Sequence, residues 1–291
     1  MDHIKNKIII GSAQFGSNYG EFNTNGPVLL KEARSIINFA LENGCKIIDT
    51  ASDYYKSEEI IGKIGVKGLK IITKIRLPKK ETTSKENYLE TSINKTLKIT
   101  KTPKLDCLLF RNPTDLIDKS NYSIWITAQG LKKNKLIDKI GITIYSPKEL
   151  DIVLEKITPD VVQIPFNIFD HRIRKSGWLD ELYKNKIEIH ARSVFLQGLL
   201  LQESEDLGHK FKKYNVIWKK YRKWLHKNNI NSLDLCISHV RLEEKISKFL
   251  IGVENKKQLI QIINSRLITK KLPEWMSELS ENLVSPNLWK S

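Results

Sequence analysis

Asp49, Tyr54 and Lys74 are the residues of this chain best suited to move a proton. Asp49 closes the short apolar run Cys45–Asp49, Tyr54 stands in the loop after it, and Lys74 follows the next run, Leu69–Thr73. A lysine near a tyrosine favours the phenolate and lowers the phenol's pKa from its usual ~10. An aspartate beside that lysine keeps it charged and oriented. The tyrosine can then give a proton to a carbonyl oxygen as hydride arrives at its carbon, or take one from an alcohol in the reverse direction. Arg111 and Asn112 follow a further run, Leu105–Phe110. Arg111 can donate hydrogen bonds to a substrate oxygen or grip a carboxylate or phosphate in two-pronged fashion. It cannot shuttle a proton near neutral pH.

These residues need a scaffold that brings strand ends together. Eight apolar, β-rich runs recur: Lys7–Ile10, Cys45–Asp49, Leu69–Thr73, Leu105–Phe110, Lys139–Ile142, Val161–Ile164, Ile187–His190 and Phe249–Gly252. Most are continuously apolar, as parallel strands covered on both faces are. Segments of helical period lie between them: Leu30–Asn43, Glu58–Ile64, Asn87–Ile99, Tyr122–Asn134, Pro147–Lys156, Leu179–Asn185 and Lys256–Ile263. The alternation predicts one domain over residues 1–291, an α/β fold of the (β/α)8 TIM-barrel type. The doubly wound alternative is weakened because no GxGxxG follows the first strand. A helical insertion between strands 7 and 8 is expected, with helices over Ser204–His226 and Ser232–Lys245, and a last helix over Pro273–Leu283. In a barrel the polar residues at the carboxyl ends of strands form the active site. Thr143, Asn167, Arg192 and Ser193 join the set on that ground.

Composition is compatible with this reading. The chain has 291 residues, 40% hydrophobic and 28% charged, which excludes disordered, collagenous and disulfide-scaffold classes. Apolar runs such as Ile8–Ile10 are far too short to span a bilayer, and the start, Met1 to Lys5, lacks the apolar stretch of a secretion signal. Cys45, Cys107 and Cys236 have neither disulfide nor metal spacing, so a reducing cytoplasm is the expected location. No histidine pattern suggests a metal. The formal charge of +16, from 49 basic and 33 acidic residues, could attract nucleic acid, an anionic membrane or phosphorylated small molecules. It also fits a lysine-rich surface. Lys212-Lys213-Tyr214 and Lys219 to Trp224 interleave basic and aromatic residues as single-strand binders do. At helical spacing, however, Ile217, Tyr221 and Trp224 share one face. The expectation is a packed amphipathic helix, with no nucleic-acid and no membrane partner.

The motifs resemble those of the aldo/keto reductase superfamily over nearly the whole chain. Asp49-Thr50-Ala51-Ser52-Asp53-Tyr54 with Ser57-Glu58 is similar to that family's DTAxxYxxSE signature, and Ile72-Thr73-Lys74 to its lysine segment. Asp106 to Phe110 resembles its fourth strand and Val162 to Asn167 its sixth. Ala191 to Leu199 is similar to its pyrophosphate loop, and Ile251 to Leu259 to the stretch at the adenosine end. The opening Gly11-Ser12-Ala13-Gln14-Phe15-Gly16 resembles members found among surface-polysaccharide and nucleotide-sugar genes. The resemblance implies a carbonyl reductase using NADP(H), with NAD(H) the alternative. Tyr54 would be the general acid, Lys74 its partner and Asp49 the support of Lys74. Gln163 and Asn167 would hold the nicotinamide amide. Arg192, Ser193, Phe195, Gln197, Gly198, Val253, Asn255 and Gln258 would contact the rest of the cofactor. Lys256 and Lys257 would face a 2′-phosphate. Phe15, Tyr55, Arg111 and Asn112 would meet the substrate, a small carbonyl compound such as an anionic keto-sugar or nucleotide-sugar.

Two departures stand out. The family has a catalytic histidine after the fourth strand where this chain has Arg111, and a glycine after its tyrosine where this chain has Tyr55. The arginine either recruits an anionic substrate or marks a barrel with little turnover, a dinucleotide sensor or partner subunit. The sequence leaves the oligomeric state, the substrate and the direction open.

Overall fold

Runs such as Ile8-Ile9-Ile10 and Cys107-Leu108-Leu109-Phe110 have no polar face to turn to water, so they are stable only where both faces are covered. The computed structural model describes residues 2–78, 84–117 and 121–289. In it all eight runs are strands: β1 (Ile8–Gly11), β2 (Ile47–Asp49), β3 (Lys70–Ile75), β4 (Leu105–Phe110), β5 (Ile137–Thr143), β6 (Val161–Pro165), β7 (Glu188–Arg192) and β8 (Lys248–Gly252). Each pairs in parallel with the next, and β8 closes on β1. The fold is the (β/α)8 barrel that the alternation predicts.

The helices lie outside this ring. A short α1 (Asp2–Lys5) precedes β1, and α2 (Leu30–Glu42), α3 (Ser57–Ile64), α4 (Lys85–Thr100), α5 (Tyr122–Lys133) and α6 (Lys148–Val153) follow successive strands. The small α7 (Arg172–Lys175) and α8 (Trp178–Lys184) fill the connection to β7. Then come α9 (Asn215–Lys227), α10 (Ser232–Leu242), α11 (Lys256–Ile263) and a terminal α12 (Glu281–Val284). In α2, Ala33, Ile36, Ile37 and Ala40 are buried, the stripe its period calls for.

Two expected helices are broken up, beyond the trimming of ends seen in α6 and α10. Ser204–His226 begins instead as a turn in which Asp206 N–H donates to Ser204 Oγ and Gly208 N–H to Asp206 Oδ1. Such side-chain acceptors compete with helical bonds, so the α-helix starts only at Asn215. Pro273–Leu283 splits into a single 3-10 turn, Glu274–Ser277, and α12. The insertion also divides by role. α10 lies beside α11 in the outer ring and is the barrel's own helix, whereas α9 is the addition. Its face of Trp218, Tyr221 and Leu225 is buried, and Lys220 turns back over the Trp275 ring at 4.5 Å. Among the described residues no helix is long and apolar enough to cross a membrane.

Side chains alternate across the barrel wall with a period of two. Ile8, Ile10, Ile48, Ile71 and Leu108 belong to the large core between strands and helices. Ile9, Ile47, Ile72, Cys107, Leu109 and Val161 form a separate, smaller core inside the barrel. That inner layer fixes what stands at the barrel mouth.

Candidate active site

Two residues beyond the inner apolar layer, the same face of each strand reaches the carboxyl end. Counting on from Ile47, Ile72, Leu109 and Val161 gives Asp49, Lys74, Arg111 and Gln163. Arg192 ends β7 in the same way. On β1 and β8 the corresponding residues are Gly11 and Gly252. All of these line one cavity of about 890 Å³ at the carboxyl face, within the usual size of a small-molecule site. The wall is therefore charged over β2 to β4 and bare over β8 and β1. A Cβ on Gly252 would come within 2.6 Å of the Gln14 side chain, so the missing side chain is what lets Gln14 lie against β8 at the cavity wall.

Lys74 Nζ donates to Asp49 Oδ1, and Gln163 Nε2 donates to Asp49 Oδ2 at 3.0 Å. Burial works against the Lys74 charge, but Asp49 and the Tyr54 oxygen outweigh it and raise its pKa. Lys74 thus stays an ammonium at the floor of the site. Its nitrogen lies 5.3 Å from the centre of the Tyr54 ring, and the Arg111 guanidinium lies 5.6 Å from it. Tyr54 is half-buried and lines the cavity. Its loop is braced from below. Ser57 Oγ donates to Ser12 Oγ at 2.6 Å, Ser12 Oγ to the Asp49 carbonyl at 2.9 Å, and Glu58 Oε1 accepts from Thr73 and Thr96 hydroxyls at 3.0 and 3.1 Å. Burial raises the pKa of the Glu58 carboxyl. The Ser57 and Glu58 of the motif hold the loop that presents Tyr54.

Arg111 is not a bare cation. Its Nη1 donates to both carboxylate oxygens of Asp53, at 2.8 and 2.7 Å. Burial disfavours its charge, while Tyr54 and Asp53 restore it and raise its pKa. One nitrogen of the anion grip expected of Arg111 is already taken up from within the chain.

The expected cofactor residues separate into two groups. Gln163, Arg192, Ser193, Phe195, Gln197, Gly198 and Gln258 line the cavity. Asn167 does not: it is fully buried, donates to the Ser193 carbonyl at 3.0 Å and accepts the N–H groups of Phe169 and Asp170. Its amide is spent on the loops after β6 and β7. Val253 is buried in the core, and Asn255 caps α11 by accepting the Gln258 N–H at 2.9 Å. Lys256 turns to the Phe39 ring, 5.0 Å away, and neither it nor Lys257 lines the cavity.

Of the expected substrate residues, Arg111 faces the cavity and three do not. Phe15 is fully buried under the loop after β1, where it bridges to Val28. Tyr55 is 73% exposed with a positive φ of 34°, which turns it to solvent beside Lys56. Asn112 starts the 3-10 turn Pro113–Leu116 outside the cavity lining.

Tyr19, Tyr145, the Asn23–Asn25 stretch, Glu254 and Arg266 line the cavity without having been singled out. Tyr145 lies two residues past β5, where the strand-end rule stopped one step early at Thr143. The Arg192 guanidinium stacks 4.7 Å from its ring. The loop after β1 carries no periodic signal. It is strapped across the cavity by Glu21 N–H donating to Gln197 Oε1 at 3.1 Å and by Asn25 Nδ2 donating to Glu254 Oε2.

A nicotinamide carboxamide fits the floor. Gln163 lines the cavity, and its Oε1 is buried with no hydrogen-bond partner among the described residues. A buried acceptor left unpaired is costly, and an amide N–H would satisfy it. Among the described residues no histidine, cysteine and carboxylate cluster could hold a metal ion.

Comparison with known proteins agrees with this geometry. No curated protein matches the chain. Among solved structures, an aldo-keto reductase from Bacillus halodurans in its holo form is 17% identical, with a TM-score of 0.72 over 90% of this chain and 88% of that one. The glycerol dehydrogenase of Gluconobacter oxydans is 19% identical, with a TM-score of 0.67 over 98% and 93%. At such identities they speak to the fold alone. The model of the Aldo/keto reductase family matches residues 7–281. With nearly the whole sequence matched, the chain belongs to the aldo/keto reductase family and is an NAD(P)H-dependent oxidoreductase.

Proposed function

We propose that the chain reduces, or in reverse oxidises, a small polar carbonyl/alcohol pair at the barrel mouth, with Tyr54 as proton donor and acceptor. The observation that carries this is the placement of Tyr54 close to two fixed cations, Lys74 at 5.3 Å and Arg111 at 5.6 Å from its ring, each tied to its own carboxylate. Gln163 would hold the nicotinamide amide, Ser193, Phe195, Gln197 and Gly198 the middle of the dinucleotide, and Gln258 its far end. When bound in its reduced form, the nicotinamide supplies the hydride to the carbonyl carbon.

The remaining work falls to the side chains. As the carbon–oxygen π pair moves onto oxygen, Tyr54 donates its phenolic proton there. Lys74 and Arg111 then stabilise the phenolate, which water reprotonates. In oxidation the phenolate takes the alcohol proton. Asp49 holds Lys74 in place and orients Gln163 through its other oxygen. A sugar-like substrate, such as a keto-sugar or nucleotide-sugar handled in the cytoplasm during surface-polysaccharide biosynthesis, suits a wall of hydroxyls and amides from Tyr19, Tyr145, Asn23 and Asn25. The resemblance of the opening motif points the same way.

Tyr54→Phe tests the role. Turnover of keto-sugars, followed by dinucleotide absorbance, should fall about 10²–10⁴-fold, the usual contribution of a positioned acid, while dinucleotide binding persists. Equal turnover in the variant would remove Tyr54 from the chemistry. Tight dinucleotide binding without turnover on any carbonyl would instead make the barrel a sensor.

A further inference from the structure

We propose that Glu254 selects a dinucleotide with a free adenosine 2′-hydroxyl, NAD(H), over its 2′-phosphorylated counterpart. The inference rests on the cavity being a dinucleotide site. If the nicotinamide stands at Tyr54 and Gln163, the other nucleoside must occupy the opposite end of the cavity, past Gly252, where β8 passes into α11. Among the described residues, the charged groups lining that end are Glu203, Asp234, Glu254 and Arg266. Arg266 is the one cation, and its charge is partly offset: its Nε donates to Asp234 Oδ2 and its backbone N–H to Asp234 Oδ1, each at 3.0 Å, while its side chain is 73% exposed. Two carboxylates are left without a cationic partner at that wall.

A helix start could offset this by presenting free N–H groups to a phosphate. Here three of the N–H groups around that start are spent. Lys256 N–H donates to Glu32 Oε1 at 2.7 Å, Gln258 N–H to Asn255 Oδ1 at 2.9 Å, and the preceding Glu254 N–H to Gln258 Oε1 at 2.7 Å. One of these acceptors is itself a carboxylate. The Lys256 ammonium lies over Phe39 instead of over the cavity. Glu254 is held by Asn25 Nδ2 and by Gln258 Nε2 at 3.3 Å. An oriented carboxylate accepts a hydrogen bond from a ribose hydroxyl. A 2′-phosphate would bring nearly two more negative charges to the same wall. The excess of carboxylates over cations at this wall, with Glu254 oriented by Asn25 and Gln258, favours the unphosphorylated ribose.

The test is a binding titration, independent of any substrate. Quenching of tryptophan fluorescence, checked by calorimetry, gives the affinities of NADH and NADPH for wild type, Glu254→Gln and Glu254→Arg. Wild type should bind NADH at least tenfold more tightly. Glu254→Gln should narrow that ratio at least fivefold by improving NADPH, and Glu254→Arg should invert it. Equal or tighter NADPH binding by wild type overturns the proposal without any variant. A ratio unmoved in both folded variants removes Glu254 as its cause. Binding of neither dinucleotide by folded wild type sinks the dinucleotide reading itself, and the selectivity with it.

Discussion

The pairing of Arg111 with Asp53 decides what the replacement of the family's histidine means. An exposed ion pair is worth little on its own, about 0–1 kcal/mol, and Asp53 is 45% exposed. The pair therefore matters less for stability than for what Arg111 is free to bind. With Asp53 in place, the site presents one guanidinium and one carboxylate, a combination suited to a substrate whose part around the carbonyl is neutral and hydroxylated. Asp53→Asn should release the guanidinium and raise kcat/KM for a carboxylate-bearing carbonyl about tenfold relative to a neutral one of similar size. An unchanged ratio would show that Arg111 does not read substrate charge. The places of Asp49, Lys74 and Arg111 at the cavity were legible from sequence because each ends or follows an apolar run on the side facing the barrel axis, whereas Tyr54, in the loop after β2, was legible only from its motif. Phe15, Tyr55 and Asn167 do not line the cavity, because motif position does not encode side-chain direction. The loop after β1 buries Phe15, a positive φ swings Tyr55 outward, and Asn167 satisfies backbone groups that would otherwise be orphaned.

At the scale of elements, the strands were readable because burial on both faces leaves a continuous apolar signature. Helix ends were less so, since local side-chain acceptors such as Ser204 and Asp206 compete with the helical ladder. Contacts between helices left no pattern. Gly62 in α3 shows this: a Cβ there would lie 1.9 Å from the Ile99 carbonyl oxygen of α4. The close approach of these two helices, which sets α3 directly below the Tyr54 loop, requires a residue without a side chain. Gly62→Ala should cost about 1–3 kcal/mol by overpacking, read as a fall in the denaturation midpoint. It should also lower kcat more than dinucleotide affinity, because α3 carries Ser57 and Glu58. A variant as stable as wild type would mean that the helices part without consequence.

At the scale of the molecule, the response to acid follows from a buried histidine pair away from the site. His171 and His239 lie 5.0 Å apart, and His239 stacks 4.8 Å from the Phe166 ring, beneath Arg174. Burial, then Arg174, lowers the His171 pKa to about 4 despite Asp170. Burial, then His171 and Arg174, lowers that of His239 to about 3. An unfolded chain takes up these protons near pH 6.5. Below that pH it binds two protons that the folded state refuses, and stability falls as pH falls. Glu58, raised by burial, acts the other way, because the folded state gains a proton there first. Glu188, lowered to about 2, adds its loss only below pH ~4.5. Between about pH 6 and 5 two histidines oppose at most one carboxyl. Each net proton is worth about 1.4 kcal/mol per pH unit, so denaturation midpoints should drop steadily across that window. The net charge of +16 adds repulsion in the same direction. His239→Gln should flatten the slope by about one proton, a change that surface charge alone would not produce. If wild type and variant lose stability in parallel between pH 6 and 5, the histidine pair is not the acid-sensitive element.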